Sequence, residues 1–162
     1  MAARITLLLI LCLKVPLAIA YDGRPLVTGH ELPKEFKGVG VDEKLGAIID
    51  LNMEFTSDAG ENIKLGRYFE SGQPVLFAMV YYTCPNLCNL HLNGMVEAMK
   101  QLKWTAGQDF KVVAVSMNHR EGAAVASLKK ANYVKSYGRP ETADGWHFLT
   151  GDRASVDAIT KA

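Results

Sequence analysis

This 162-residue chain has no marked excess of either charge sign. Eighteen basic and 17 acidic residues leave a formal net charge of +1, with no basic block, so the footprint of a nucleic-acid binder is absent. Membrane-length apolar runs are missing too. The N-terminal run Ile5–Leu13 stops at Lys14, well short of the roughly 20 residues that span a bilayer. There is no internal repeat and no low-complexity segment. Disorder, coiled coil and collagen-like repeats are excluded by 49% apolar and 22% charged residues, a composition that can bury a core. The length suits one domain. Cysteine is scarce, at three residues.

One of the three lies in what reads as an export signal. Arg4 supplies a positive start, Ile5–Leu13 is the apolar region with Cys12 inside it, and Ala18-Ile19-Ala20 is a small-x-small cleavage pattern. Residues 1–20 are therefore expected to be a signal peptide cut after Ala20, with a retained anchor as the alternative. Leu11 is too large to precede a lipoprotein cysteine at Cys12. Cleavage removes Arg4, Lys14 and Cys12, leaving a slightly acidic chain whose cysteines are Cys84 and Cys88. In an oxidising compartment such a pair is a disulfide, a metal site or a redox couple.

Residues 21–44 are expected to be a flexible arm, rich in glycine and proline, and residues 45–162 the folded domain. Leu51, Met53 and Phe55 alternate with polar residues at strand spacing, Ser57-Asp58-Ala59-Gly60 is a turn, and Ile63-Lys64-Leu65 pairs back as a hairpin. Gly66 to Glu70 reads as a helical turn. Val75–Tyr81 is apolar on both alternations and is expected to be a central buried strand. Helical spacing of Leu87, Leu90, His91, Gly94, Met95, Ala98, Met99 and Leu102 predicts a helix from Pro85 to Lys103 with those residues on one face. A strand over Phe110–Ser116, a helix over Glu121–Tyr137 ended by Gly138 and Pro140, a strand over Trp146–Leu149 and a helix from Asp152 complete the series. Strand, helix, strand, helix, strand implies right-handed crossovers and an α/β sheet with helices on its faces.

The chemistry concentrates at Cys84-Pro85-Asn86-Leu87-Cys88. With Pro85 at the first helical position, Cys84 is expected at a helix mouth. There the unpaired amides and positive helix end favour its thiolate. Cys88 follows one turn later on the same face. Two soft thiolates on one point suit Cu(I), and less selectively Zn(II). A disulfide is also geometrically possible, since helical i,i+4 Cα atoms fall near the upper end of the permitted range of roughly 4.4–6.8 Å. It would close too short a loop to stabilise much. The expectation is a metal site that can also be oxidised. His91 and His119 are auxiliary ligand candidates, each with a packing or loop role as the alternative; His147 reads as structural and His30 is assigned nothing. Met79, Met95, Met99 and Met117 sit at core spacing and read as packing. Tyr81 and Tyr82 are expected to wall the site against solvent.

Tyr82-Thr83-Cys84-Pro85-Asn86-Leu87-Cys88, the upstream hairpin, the strand ending in Val115-Ser116, and Phe148-Leu149-Thr150-Gly151 resemble the Sco/SenC family over about residues 45–162. The resemblance implies a thioredoxin-like fold with an N-terminal β-hairpin. It also implies a copper site made by Cys84, Cys88 and a distant histidine. The family's histidine follows the helix after Leu-Thr-Gly; no residue here matches it, so the resemblance implies a domain incomplete at its C-terminus. Asn118-His119 stands where many relatives have Asp-Pro. The implied function is a copper metallochaperone or thiol reductase that helps assemble the copper centre of cytochrome c oxidase. Its implied partners are oxidase subunit II, other copper chaperones and a membrane surface. The implied location is exported, in the periplasm or at the outer face of the inner membrane. The alternative is a thioredoxin-fold disulfide oxidoreductase or peroxidase. Thr83 directly preceding Cys84 departs from the Pro-x-x-x-Thr-x-x-Cys arrangement of peroxiredoxin-type sites.

Overall fold

The computed structural model describes residues 44–162. The expected signal and nearly all of the expected arm lie outside the described residues. β1 (Glu54–Thr56) and β2 (Asn62–Lys64) pair antiparallel with Phe55 opposite Ile63. A 3-10 turn over Leu65–Tyr68 follows, burying Leu65 and Tyr68. Then come β3 (Val75–Val80), α1 (Leu87–Lys100), β4 (Lys111–Ser116), α2 (Ala123–Tyr137), β5 (Trp146–Leu149) and α3 (Arg153–Lys161). The three longer strands are parallel, in the order β3-β4-β5.

β4 lies at the centre of this sheet, and its alternation divides the core. Val112 and Ala114 face one side with Leu92, Val96 and Met99 of α1, Ala126 and Tyr133 of α2, and Trp146 and Phe148 of β5. Val113 and Val115 face the other with Phe55, Ile63, Leu65, Leu149 and Ile159. Residues i and i+2 share a face, so α1 and α2 cover one side while the hairpin and α3 cover the other. Thr56 and Thr150 exchange backbone hydrogen bonds of 2.7 and 2.9 Å, which fasten the hairpin to the end of β5. Asp58 in the hairpin turn adds an ion pair to Lys130 at 3.1 Å and accepts the Phe148 N–H at 3.0 Å.

Glycine and the caps set the boundaries. Gly138 ends α2 at φ +78°, a left-handed conformation that a side chain would strain. Asp152 caps α3 by accepting the Ser155 N–H at 2.8 Å. Gly151 of the Leu-Thr-Gly motif lets the chain close over Phe55, since a Cβ there would stand 2.9 Å from the Phe55 ring.

In the strand order and on the buried face of α1 the structure corrects the sequence reading. β3 is an end strand of the described sheet, not a central one, with Leu76 37% exposed; an apolar run reports hydrophobic surroundings and not position in the strand order. The buried face of α1 is Leu92, Val96 and Met99, with Cys88 and Met95 packed beside them. Leu87 and Leu90 are 72% and 66% exposed, and His91 is exposed too. The true stripe is therefore rotated by about one residue from the expected one.

His147 on β5 is structural, as expected. Its ring centroid lies 4.4 Å from that of Tyr68. Burial, helped by Lys130, Lys111 and Arg67 and opposed by Asp58, pushes its pKa down to about 4. An unfolded histidine titrates near 6.5, so between those values the unfolded chain binds the extra proton. The contribution is complete above about pH 6.5 and is lost as pH falls through about 4. We expect a loss of about 1–2 kcal/mol across that window, after discounting for partial exposure. Urea unfolding at several pH values should show the slope in the parent chain and lose it in His147→Gln; an identical slope in both would assign it elsewhere.

A two-cysteine site at the mouth of a helix

β3 ends at Val80, and the chain crosses to α1 through Tyr81–Asn86. This connection is not helical. Asn86 is the N-cap, at φ −132° and ψ −99°, and Leu87 is the first helical residue. Pro85 therefore precedes the helix rather than opening it, and Cys84 lies in the connection, where its N–H donates to the Tyr81 carbonyl at 3.3 Å. Cys88 alone of the pair is helical. The helical repeat does not set their relation; the bend of the connection does.

That bend turns the first amides of α1 on the Cys84 sulfur. The N–H of Cys88, then that of Asn86, favour the thiolate most; burial opposes them, and the Cys88 side chain and the Leu87 N–H add smaller help. The Cys84 pKa is accordingly lowered from the usual thiol range. The expected thiolate stabilisation by a helix mouth is thus present in a different register. Both cysteines are free thiols and half-buried. Cys88 projects from the inward stripe of α1, its sulfur accepting the Tyr81 N–H at 3.3 Å. It stands close enough to Tyr133 on α2 for a thiolate there to raise that phenol's pKa, an effect second to burial.

Tyr82 does not wall the site. It is buried beneath it, with its hydroxyl 2.8 Å from the carbonyl oxygens of both Ala114 and Leu149 and its ring 5.5 Å from Phe148. Tyr81 is 44% exposed. It lines a cavity of about 430 Å³ with Met117, Asn118, His119, Arg153 and Asp157. His119 is half-buried there, its Nε2 3.3 Å from an Arg153 nitrogen. His91 lies on the exposed side of α1. Among the described residues neither histidine joins the cysteines in a group of three metal ligands. Met99 is buried in the core on the α1 side of the sheet with Met95 packed beside it, Met79 packs against the core on the hairpin side, and Met117 lines the cavity.

Three residues that sequence spacing did not single out hold the connection in place. Glu121 is 8% exposed and accepts hydrogen bonds from Ser116 Oγ, from Tyr82 N at 2.9 Å, and from Thr83 N and Oγ1 at 2.8 and 2.6 Å. Burial alone would raise its pKa, but these donors outweigh it and bring the carboxyl below its ordinary range. Lys129 donates to the Tyr82 carbonyl at 2.7 Å and to Asn89 Oδ1. Asn89 in turn donates to the Cys84 carbonyl at 2.9 Å. In sequence Glu121 reads as a helix start and Lys129 is one position within that helix, so only the fold reveals their contacts.

The donor set fits a soft monovalent metal: two neighbouring sulfurs, the Cys84 thiol with its pKa lowered, on a half-buried surface. The same pair can close and open a disulfide. The SCO1/SenC family model matches residues 42–162. No curated protein matches the chain. Among solved structures, a protein of Aquifex aeolicus VF5 described as an electron transfer protein superposes with a TM-score of 0.56 at 20% identity, over 72% of each chain. Copper-bound ScoI of Arabidopsis thaliana gives 0.51 at 19% identity, over 67% of this chain and 62% of that one. Copper-bound yeast Sco1 gives 0.50 at 16% identity, over 67% and 55%. At these identities the structural likeness carries the fold, which is thioredoxin-like α/β. The chain spans less than two thirds of the Arabidopsis and yeast proteins.

Proposed function

This chain belongs to the SCO1/SenC family, and from that premise we propose that Cys84 and Cys88 bind Cu(I) and that the protein serves assembly of the copper centre of cytochrome c oxidase, with oxidase subunit II as acceptor. The observation that carries the reading is the pair of free thiols at the mouth of α1, with helix amides turned on Cys84. Copper is cargo here. An acceptor thiolate displaces one cysteine sulfur and a second acceptor thiolate displaces the other, each exchange trading one copper–sulfur bond for another. The half-exposed Cys84 is the sulfur such an acceptor reaches.

The same pair supports a second chemistry on the same acceptor. The Cys84 thiolate attacks one sulfur of an acceptor disulfide, forming a mixed disulfide and expelling an acceptor thiolate. Cys88 passes its proton to the acceptor thiolate expelled in the first step and attacks Cys84 Sγ, closing the Cys84–Cys88 disulfide and releasing the second acceptor thiolate. Two electrons pass from the chain to the acceptor. The lowered Cys84 pKa and its exposure support Cys84 as attacking sulfur and Cys88 as resolving one. In both versions the site operates outside the cytoplasm, as the N-terminal export pattern implies; among the described residues no helix is long and apolar enough to cross a membrane.

The test is an anaerobic titration of the reduced chain with Cu(I) in competition with a chromophoric chelator. We expect one equivalent held per chain. Failure to hold any Cu(I), together with peroxide turnover that needs no copper, would overturn the reading in favour of a thiol peroxidase.

A further inference from the structure

We propose that Glu121 and Lys129 are positioning residues that clamp a single peptide group to fix the Cys84 sulfur. The Tyr82–Thr83 peptide is gripped at both ends of its dipole. Its N–H, on Thr83, donates to Glu121 Oε1 at 2.8 Å, and its C=O, on Tyr82, accepts from Lys129 Nζ at 2.7 Å. An anion faces the donor and a cation faces the acceptor, the arrangement in which both charges are bonded most strongly. The grip extends on either side. Glu121 Oε2 takes the Tyr82 N–H at 2.9 Å, and Lys129 bonds Asn89, whose amide donates to the Cys84 carbonyl at 2.9 Å. Every backbone polar group from the Tyr82 N–H to the Cys84 carbonyl thus has a partner, except the Thr83 carbonyl, although the segment belongs to neither strand nor helix.

Both charges come from outside the cysteine segment: Glu121 from the connection after β4, and Lys129 from α2. Among the described residues neither makes an ion pair. Their charge is spent on the loop. A buried carboxylate without a cationic partner is costly unless strong donors surround it, and here the donors are the loop's own N–H groups and two hydroxyls. Two-sulfur chemistry depends on where the sulfurs sit relative to one another, and the Cys84 backbone has no secondary structure to hold it. The clamp supplies that constraint. It predicts that loosening the loop weakens any state in which both sulfurs act together, whether a shared Cu(I) or a disulfide.

This inference rests on the reading of Cys84 and Cys88 as a working pair, and its test separates the two. The reduced full chain, Glu121→Gln, Lys129→Met and Lys130→Met are each equilibrated with glutathione, the protein dithiol plus one glutathione disulfide giving the protein disulfide plus two glutathione thiols. Gln keeps the shape of Glu121 but turns an NH2 toward donors. Met keeps the Lys129 stem and removes its charge. Lys130→Met breaks the ion pair to Asp58 one residue away and touches no loop atom. We expect the equilibrium to shift at least about tenfold toward the dithiol in Glu121→Gln and Lys129→Met, ~1.4 kcal/mol, and not in Lys130→Met. Cu(I) affinity should fall in parallel. Far-UV circular dichroism reports folding; if Glu121→Gln does not fold, half-exposed Lys129 decides the matter. Both loop variants within twofold of the parent, or Lys130→Met shifting as far, would overturn the clamp. A parent chain that fails to hold Cu(I) would instead remove the copper reading, and the glutathione equilibrium would still decide the clamp.

Discussion

Cys84→Ser and Cys88→Ser are each expected to weaken Cu(I) binding by about 10³-fold or more, ~4 kcal/mol. Each variant trades a soft thiolate for a hydroxyl that stays protonated at neutral pH, leaving a single sulfur. Fold stability should barely change. Cys84 is half-exposed in an irregular connection, and a serine at 88 can still accept the Tyr81 N–H that Cys88 accepts at 3.3 Å. Chelator competition under anaerobic conditions reads the affinity, and thermal unfolding reads the stability. Unchanged affinity in both variants would mean that the metal, if bound, sits elsewhere.

The second large effect is expected beneath the site. Phe148 is fully buried on β5, between Tyr82 at 5.5 Å and Tyr133 at 6.2 Å. Phe148→Ala should cost about 3–5 kcal/mol, the transfer of the ring plus the cavity left behind. That is a large share of the roughly 5–15 kcal/mol that hold a domain folded. The loss reaches the site by a short path, because Tyr82 rests on Phe148 and lies two residues before Cys84. Leu87→Ala is the contrast. Leu87 lies between the two cysteines in sequence but is 72% exposed, so its effect on stability should stay within about 0.5 kcal/mol. Urea unfolding of the two variants distinguishes them; equal losses would mean that the core is not centred where the sheet places it.

Much of the fold could be read from spacing because its signals are local. The hairpin follows from alternation at Phe55 and Ile63 around a Gly60 turn. The ends of α2 and α3 follow from Gly138 and Asp152, which act on their own backbone neighbours. What spacing missed was set by distant groups. Pro85 points to a helix start, yet α1 begins at Leu87, and the Tyr81–Asn86 connection bonds instead to Glu121 and Lys129, which come from the chain after β4. The buried stripe of α1 was misplaced because Leu87 and Leu90 are as apolar as Leu92 and Val96, so composition alone could not choose between the two faces. Tyr82 looked like a surface residue of the site, but its hydroxyl has carbonyl partners on β4 and β5. The Cys84–Cys88 pair stands out in the sequence, since few roles suit two cysteines four apart after an apolar run. Its geometry does not, since the spacing points to a helical repeat and Cys84 lies in the connection before α1.

The most direct test of two sulfurs sharing one metal is the copper K-edge X-ray absorption of the reduced full chain loaded with one equivalent of Cu(I). The site described here predicts a cuprous edge and an inner shell dominated by sulfur, with that sulfur signal lost in the Cys84→Ser, Cys88→Ser double variant. A shell of nitrogen and oxygen alone, or the same sulfur signal in the double variant, would contradict it.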